Sequence, residues 1–171
     1  SSSIRLWDTA AVELAPYRVI RRGYGGAKFS DLAIYAERLI QPHQYRGLVV
    51  FVANDISGSP QDHSVEEVER LVRHVLSVSK AHQPTAPILI VEITPTPKRF
   101  HVWPEIRELN ARLREIGLTE PNVHFVATAD HYLDSHQRPI ASLFREDALH
   151  QNEAGYEIWG TLIRSRLDEV F

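Results

Sequence analysis

The sequence predicts an α/β fold: a three-layer α/β/α sandwich around a parallel, flavodoxin-like sheet of about five strands. The first observation is a set of short runs rich in Val and Ile, which are typical of strands buried on both faces of a parallel sheet. The second is that helical stretches alternate with these runs, as in open sheets covered by helices on both sides. The runs are "YRVIRRG" (17–23), "GLVVFVAND" (47–55), "APILIVEITP" (86–95) and "NVHFVAT" (122–128).

Three amphipathic stripes predict the longer helices. A helix is expected over Ser64–Ala81, because Ser64 and Glu67 have the spacing of a capping box. Its apolar stripe is Val65, Val68, Val72 and Val75. The second stripe is Trp103, Ile106, Leu109, Leu113 and Ile116, and the third is Tyr156, Trp159, Ile163 and Val170. Such stripes at helical spacing indicate faces turned toward a core.

Composition limits the possible partners. The 171 residues fit one domain, 1–171. The net charge is -3, and acidic and basic residues are interspersed, so nucleic acid is not expected as a partner. No apolar run reaches the length of a membrane span, so no membrane partner is expected either. The absence of cysteine excludes thiolate nucleophiles and cysteine-based zinc sites, and it leaves the cellular compartment and the oligomeric state open.

In parallel α/β sheets, ligands bind at the carboxyl ends of the strands, so the loops there are the places to search for a site. The glycine-rich loop 23–28 lacks the spacing of either nucleotide-binding fingerprint, which disfavours a nucleotide-binding regulator. It is either a tight turn or a backbone that approaches an anion closely. Asn54, just after the second run, is either a turn former or an amide donor for an oxyanion.

An acid and a histidine stand just before the last predicted helix. Asp147 and His150 are three residues apart, so the carboxylate can accept the Nδ1 proton of the ring and leave Nε2 as a base. The alternative is that Asp147 begins a turn and His150 caps the helix. Ser2, at the start of a helical pattern, is the candidate nucleophile or simply an N-cap.

Taken in order, these pieces resemble the four sequence blocks of the SGNH hydrolases, also called GDSL lipases and acylhydrolases. "SSSIRLW" is similar to a first block of the form G-S-S-S-I-R-L-W, which puts Ser1 at the usual aspartate position and Ser2 at the nucleophile. "RRGYGGAKFSDL" resembles the second block and "FVAND" the third. The resemblance implies Gly26 and Asn54 as oxyanion donors, together with the Ser2 amide.

"EDALHQNEAGYEIW" resembles the last block and implies Asp147 and His150 as the remaining triad members. The departures from the family pattern are Arg21, where asparagine is usual, and Val52, where glycine is usual. The resemblance implies a serine esterase that cleaves a small, acetyl-type acyl ester through an acyl-enzyme, with carbohydrate esters among the substrates and no cofactor or metal. A catalytically silent domain that binds carbohydrate or protein is the rival hypothesis.

Two further expectations come from the positions of segments relative to the predicted strands. A flavodoxin-like strand order would place a strand immediately before Ser1, between the runs that end near Arg21 and Val52, so an apolar run ending in glycine is expected upstream. "TPTPKRFHVWPEI" (94–106) follows a strand end, and Arg99 and Trp103 are its candidate substrate-binding residues. The alternative is that Trp103 only begins the core-facing stripe and that the charges are solvated.

Overall fold

A computed structural model describes all 171 residues, and it contains a three-stranded parallel sheet. The strands are β1 (Leu48–Val50), β2 (Ile88–Val91) and β3 (Val123–Val126), in the order β1-β2-β3. Leu48 pairs with Ile88, and Ile88 pairs in turn with Val123. The central strand β2 is buried along its whole length, as the apolar run predicted.

Six α-helices and three short 3₁₀ helices accompany the sheet. The α-helices are α1 (Ser2–Arg5), α2 (Ala10–Glu13), α3 (Phe29–Ile40), α4 (Val65–His82), α5 (Trp103–Thr119) and α6 (Glu153–Val170). The 3₁₀ helices are Pro97–Val102, Ala129–Tyr132 and Ala141–Leu143. No helix combines the length and the apolar character that a membrane span requires.

Two hydrophobic cores lie on opposite faces of the sheet. Ile88 and Ile90 contribute to the larger core with α3, α4 and α5. Leu89 and Val91 contribute to the smaller core with Trp7, α2 and α6. Successive side chains of a strand point to opposite faces, so this alternation requires helices on both sides. The predicted α/β/α sandwich is therefore confirmed.

The helix predictions agree closely with the structure. The Ser64 hydroxyl accepts a hydrogen bond from the Glu67 amide, and the Glu67 carboxylate accepts one from the Ser64 amide, which completes the predicted capping box. All four valines of the α4 stripe and all five residues of the α5 stripe are buried. In α6 the stripe ends differently, because Leu167 is buried whereas Val170 is only half-buried.

The predicted number of strands was wrong, since the sheet has three strands and not about five. The run Tyr17–Gly23 contains no strand, and β1 pairs only with β2. A strand exists only where its backbone groups pair with a neighbour, whereas an apolar run shows only that a segment is suited to burial. The amides and carbonyls of residues 18–22 form no backbone hydrogen bond to any strand.

Candidate active site

The structure joins Ser2, His150 and Asp147 in one chain of hydrogen bonds. The Ser2 Oγ atom lies 2.9 Å from His150 Nε2, although the two residues are 148 positions apart. On the other side of the ring, His150 Nδ1 lies 2.6 Å from Asp147 Oδ2. The alternatives in which Asp147 and His150 act only as turn and cap residues do not account for this geometry.

The Asp147 carboxylate is held in its ionised form. Burial opposes ionisation, but the hydrogen bonds from the His150 ring and from the backbone amides of His150 and Leu149 outweigh it, so the pKa of Asp147 falls to about 2. An ionised carboxylate can only accept hydrogen bonds, so His150 Nδ1 must carry the proton. The lone pair of Nε2 in the neutral ring therefore faces the Ser2 hydroxyl.

A tight loop before α6 places His150. Arg145 donates its amide to the His150 carbonyl at 2.8 Å, and the Ala148 amide donates to Arg145 at 2.9 Å. Ala148 has a φ of 57°, an uncommon conformation for a residue with a side chain. Asn152 is the N-cap of α6. Its side chain accepts a hydrogen bond from the Gly155 amide and donates one to the Ser142 carbonyl at 2.7 Å. The loop is thus anchored at both ends.

The first helix presents Ser2, and it is Ser1 that caps this helix. The Ser1 hydroxyl accepts a hydrogen bond from the Ser3 amide at 3.1 Å, which leaves the Ser2 hydroxyl free for His150. The amide of Ser2 lies in the first turn and has no intrahelical acceptor. Arg21 supports the other end of the helix, since its guanidinium donates to the carbonyls of Arg5 and Trp7. The unusual arginine at position 21 therefore fixes the segment that bears Ser2.

The glycine-rich loop packs directly against α1. A Cβ atom at Gly23 would lie 2.5 Å from the Arg5 amide nitrogen and 2.7 Å from the Ser1 carbonyl oxygen. Gly26 has a φ of +70°, a conformation that glycine adopts without strain. Gly26 does not line the cavity at Ser2, but the next residue, Ala27, accepts a hydrogen bond from Asn54 Nδ2 at 3.1 Å.

Asp55 ties the loop of Asn54 to the start of α3. Both oxygens of this buried carboxylate accept the Phe29 amide at 3.0 Å. Burial raises the pKa of Asp55, while the Phe29 amide and the nearby His63 and Lys28 partly oppose the rise. Sequence reasoning did not assign a role to Asp55, although an acid next to a candidate oxyanion donor is a signal that could have drawn attention to it.

A cavity of about 30 Å³ lies beside Ser2 and His150. Its wall includes Asn54 and Arg99, as well as Thr94, which sequence reasoning missed. Thr94 follows β2, and this carboxyl edge is where a parallel sheet binds its ligands. The unusual Val52 is buried in the larger core and does not line the cavity.

Trp103 lies elsewhere. It is buried at the start of α5 and lines a different groove of about 670 Å³, which none of Ser2, Asp147 and His150 reaches. This placement favours the alternative in which Trp103 begins the core-facing stripe. The hydrogen-bonded residues Ser2 and His150 therefore point to the smaller cavity and not to this groove as the candidate site.

The match to known families decides the class of protein. The family model of the GDSL-like lipase/acylhydrolase family matches residues 4–158. The chain belongs to this family. As a member of the GDSL-like lipase/acylhydrolase family, and thus of the SGNH superfamily, it is a hydrolase of esters. No curated protein matches the chain by sequence.

Solved structures share the fold at low sequence identity. A candidate platelet activating factor from Streptococcus pneumonia has 19% identity and a TM-score of 0.83, over 99% of this chain and 80% of that one. An acetyl esterase mutant, solved with an acetate ion, has 15% identity and a TM-score of 0.70, over 87% and 70% of the two chains. A family 3 carbohydrate esterase from Talaromyces cellulolyticus has 15% identity and a TM-score of 0.68, over 91% and 76%.

The contact between Gly23 and α1 predicts that Gly23→Ala lowers ester hydrolysis. The added methyl group would have to push α1 away, because contacts under 3.0 Å to backbone atoms cannot persist. Gly25→Ala is the matched control, since a Cβ atom there meets nothing within 4 Å. We expect at least a roughly tenfold loss of kcat for Gly23→Ala, because misplacement by about 1 Å costs about 100-fold. Equal rates for the two variants would contradict the placement of α1.

The low pKa of Asp147 predicts a pH dependence of folding. Folding lowers this pKa from 3.8 to about 2, so the stabilisation is complete above about pH 4 and is lost as the pH falls toward 2. The difference in unfolding free energy between the wild type and Asp147→Asn should narrow over that range. Carbon-13 NMR should place the midpoint of Asp147 near pH 2 in the wild type and higher in His150→Ala. A wild-type midpoint near pH 3.8 would contradict the hydrogen bonds that Asp147 accepts from the His150 ring and from the amides of His150 and Leu149.

Proposed function

We propose that the protein is a serine esterase that removes a small, acetyl-type acyl group through an acyl-enzyme, with carbohydrate esters as its substrate class. The observation that carries the proposal is the continuous hydrogen-bond chain from Ser2 Oγ through the His150 ring to Asp147. A serine hydroxyl is a poor nucleophile by itself, and a base within hydrogen-bond reach is what activates it.

In the first half-reaction the Ser2 Oγ atom attacks the carbonyl carbon of the ester, and its proton passes to His150 Nε2. The tetrahedral intermediate collapses when the bond to the alcohol oxygen breaks, and His150 returns the proton to the departing alcohol. In the second half, a water gives a proton to His150 Nε2 and attacks the acyl carbon. The bond from this carbon to Ser2 Oγ then breaks, His150 returns the proton to Ser2 Oγ, and the acid leaves. Asp147 remains ionised throughout and stabilises the imidazolium.

The negative oxygen of the tetrahedral intermediate needs donors near Ser2. The proposed donors are the amide of Ser2 and the side-chain amide of Asn54, two residues that line the cavity; Gly26, whose amide the family resemblance also implies, lies outside that lining. Asn54 Nδ2 has two protons, and only one of them is donated within the protein, to Ala27. The second proton is available to the substrate. Each such donor contributes about 100- to 1,000-fold to the rate.

The size of the cavity supports a small acyl group. A cavity of about 30 Å³ is small, which favours a short acyl group over a long one. Two proteins of the same fold are named as an acetyl esterase and a carbohydrate esterase, which agrees with this substrate class. Arg99, which the sequence position predicted as a substrate contact, also lines the cavity.

Labelling with a fluorophosphonate tests the nucleophile. We expect one equivalent of label on Ser2 in the wild type, none in Ser2→Ala, and full labelling in Ser3→Ala. The neighbouring Ser3 is a suitable control because its hydroxyl makes no hydrogen bond. Turnover of a p-nitrophenyl acetate substrate should fall to near background in Ser2→Ala only. An unlabelled wild-type protein would instead support the rival hypothesis of a silent binding domain.

A series of acyl chains tests the proposed specificity. We expect kcat/KM to fall at least about tenfold from p-nitrophenyl acetate to the butyrate, because extra methylenes crowd the small cavity beside Ser2. Leu149→Ala removes a half-buried wall residue and should raise the butyrate-to-acetate ratio. Equal kcat/KM values from the acetate to the octanoate ester, in both the wild type and Leu149→Ala, would exclude the small-acyl proposal.

A further inference from the structure

We infer that Arg99 is a positioning residue, which holds the side-chain amide of Asn54 in the one orientation that offers a donor to the oxyanion. This inference rests on the proposed function, and it assigns Arg99 a role that differs from the substrate contact expected from its sequence position. The inference is carried by the hydrogen bonds around the two residues.

Arg99 reaches across from the 3₁₀ helix Pro97–Val102 to the loop after β1. Its Nη1 atom donates to the Ala53 carbonyl at 2.6 Å, and its Nη2 atom donates to Asn54 Oδ1 at 2.5 Å. The backbone of Arg99 is fixed as well, since the Thr96 hydroxyl accepts a hydrogen bond from the Arg99 amide at 3.3 Å. The planar guanidinium presents donors in a fixed geometry, so its two contacts set the position of the Asn54 oxygen.

The opposite end of the Asn54 amide is fixed by an acceptor. Its Nδ2 atom donates one proton to the Ala27 carbonyl at 3.1 Å. A rotation of the amide by 180° would turn Nδ2 toward the donors of Arg99 and Oδ1 toward the carbonyl of Ala27. Both contacts would then be repulsive, because donor would face donor and acceptor would face acceptor. The correct orientation is favoured because it leaves neither of these part-buried groups unpaired.

Without Arg99, only the bond to Ala27 would favour the correct orientation. The Asn54 oxygen would have no partner on its own side, and the amide would be free to rotate away from the position that the oxyanion requires. Preorganisation is the property that gives an oxyanion donor its effect on rate, because a donor that must reorient during the reaction stabilises the transition state less. Loss of Arg99 should therefore lower kcat while leaving ground-state binding nearly unchanged.

A direct contact with the substrate is the competing role. Arg99 lines the cavity, and a guanidinium has five protons, of which the two described contacts use only two. The two roles make opposite predictions in a protein that lacks the Asn54 amide. A residue that acts through Asn54 has nothing left to position there, whereas a residue that touches the substrate keeps its effect.

A double-mutant cycle on the hydrolysis of p-nitrophenyl acetate separates these roles. The four proteins are the wild type, Arg99→Met, Asn54→Ala and the double variant. We expect Arg99→Met to lower kcat at least about tenfold and by no more than Asn54→Ala, which should lose about 100- to 1,000-fold. KM should change less than about threefold. The double variant should be no slower than Asn54→Ala alone.

Two further variants control for charge and for folding. Lys98→Met removes the neighbouring positive charge, whose side chain is exposed, and should keep the wild-type rate. Arg99→Lys keeps the charge but cannot span both acceptors, so we expect kcat to fall with it as well. It also serves as the test variant if Arg99→Met does not fold, as judged by circular dichroism.

Three results would overturn the inference. They are an unchanged kcat in Arg99→Met and Arg99→Lys, a change confined to KM, and an equal loss from Arg99→Met in the wild-type and Asn54→Ala proteins. Failure of the proposed function is recognised separately, because it requires that Ser2→Ala keeps its turnover or that the fluorophosphonate does not label Ser2. The labelling of Ser2 in Asn54→Ala shows that the nucleophile is intact during the cycle.

Discussion

The candidate site depends on one contact, the hydrogen bond between the Ser2 hydroxyl and His150, and this contact exists only because α1 lies against α6. Trp7, just after α1, stacks on Tyr156 of α6 with ring centroids 5.8 Å apart and meets Trp159 edge to face at 5.7 Å. The Tyr156 hydroxyl also donates to the Ser3 carbonyl at 2.8 Å. Aromatic pairs of this kind contribute about 0.5–1.5 kcal/mol beyond the burial of their surface. The smaller core thus holds the proposed nucleophile in reach of its base.

The opposite side of the site is fastened to the larger core. Phe29 is buried there, and its amide is held by Asp55, the residue after Asn54. The Asn54 amide and the proposed nucleophile are therefore held by different cores, and they meet at the carboxyl edge of the sheet between them. Neither core alone holds both the proposed nucleophile and the Asn54 amide. A rigid sheet that separates two packed layers is a suitable frame, because it fixes the distance across which the two halves must cooperate.

Much of this arrangement could be predicted from the sequence, and the exceptions share a physical cause. The α4 and α5 stripes and the capping box at Ser64 are local patterns, so they identify helices reliably. The grouping of Ser2, Asp147 and His150 came from the resemblance to a family, and the structure brings these residues together. The missing pairing of the 17–23 run and the partner of Arg99 depend on tertiary neighbours. A periodic pattern contains no information about which neighbour will be present.

The separation of Ser2 from His150 by 148 positions has a consequence for how the protein acquires its chemistry. Closing so long a loop is among the slow steps of folding, since its entropic cost precedes any contact that offsets it. Ser2 and its proposed base are therefore within hydrogen-bond reach only when the loop before α6 has reached α1. The proposed chemistry thus belongs to the completed fold and not to any segment within it.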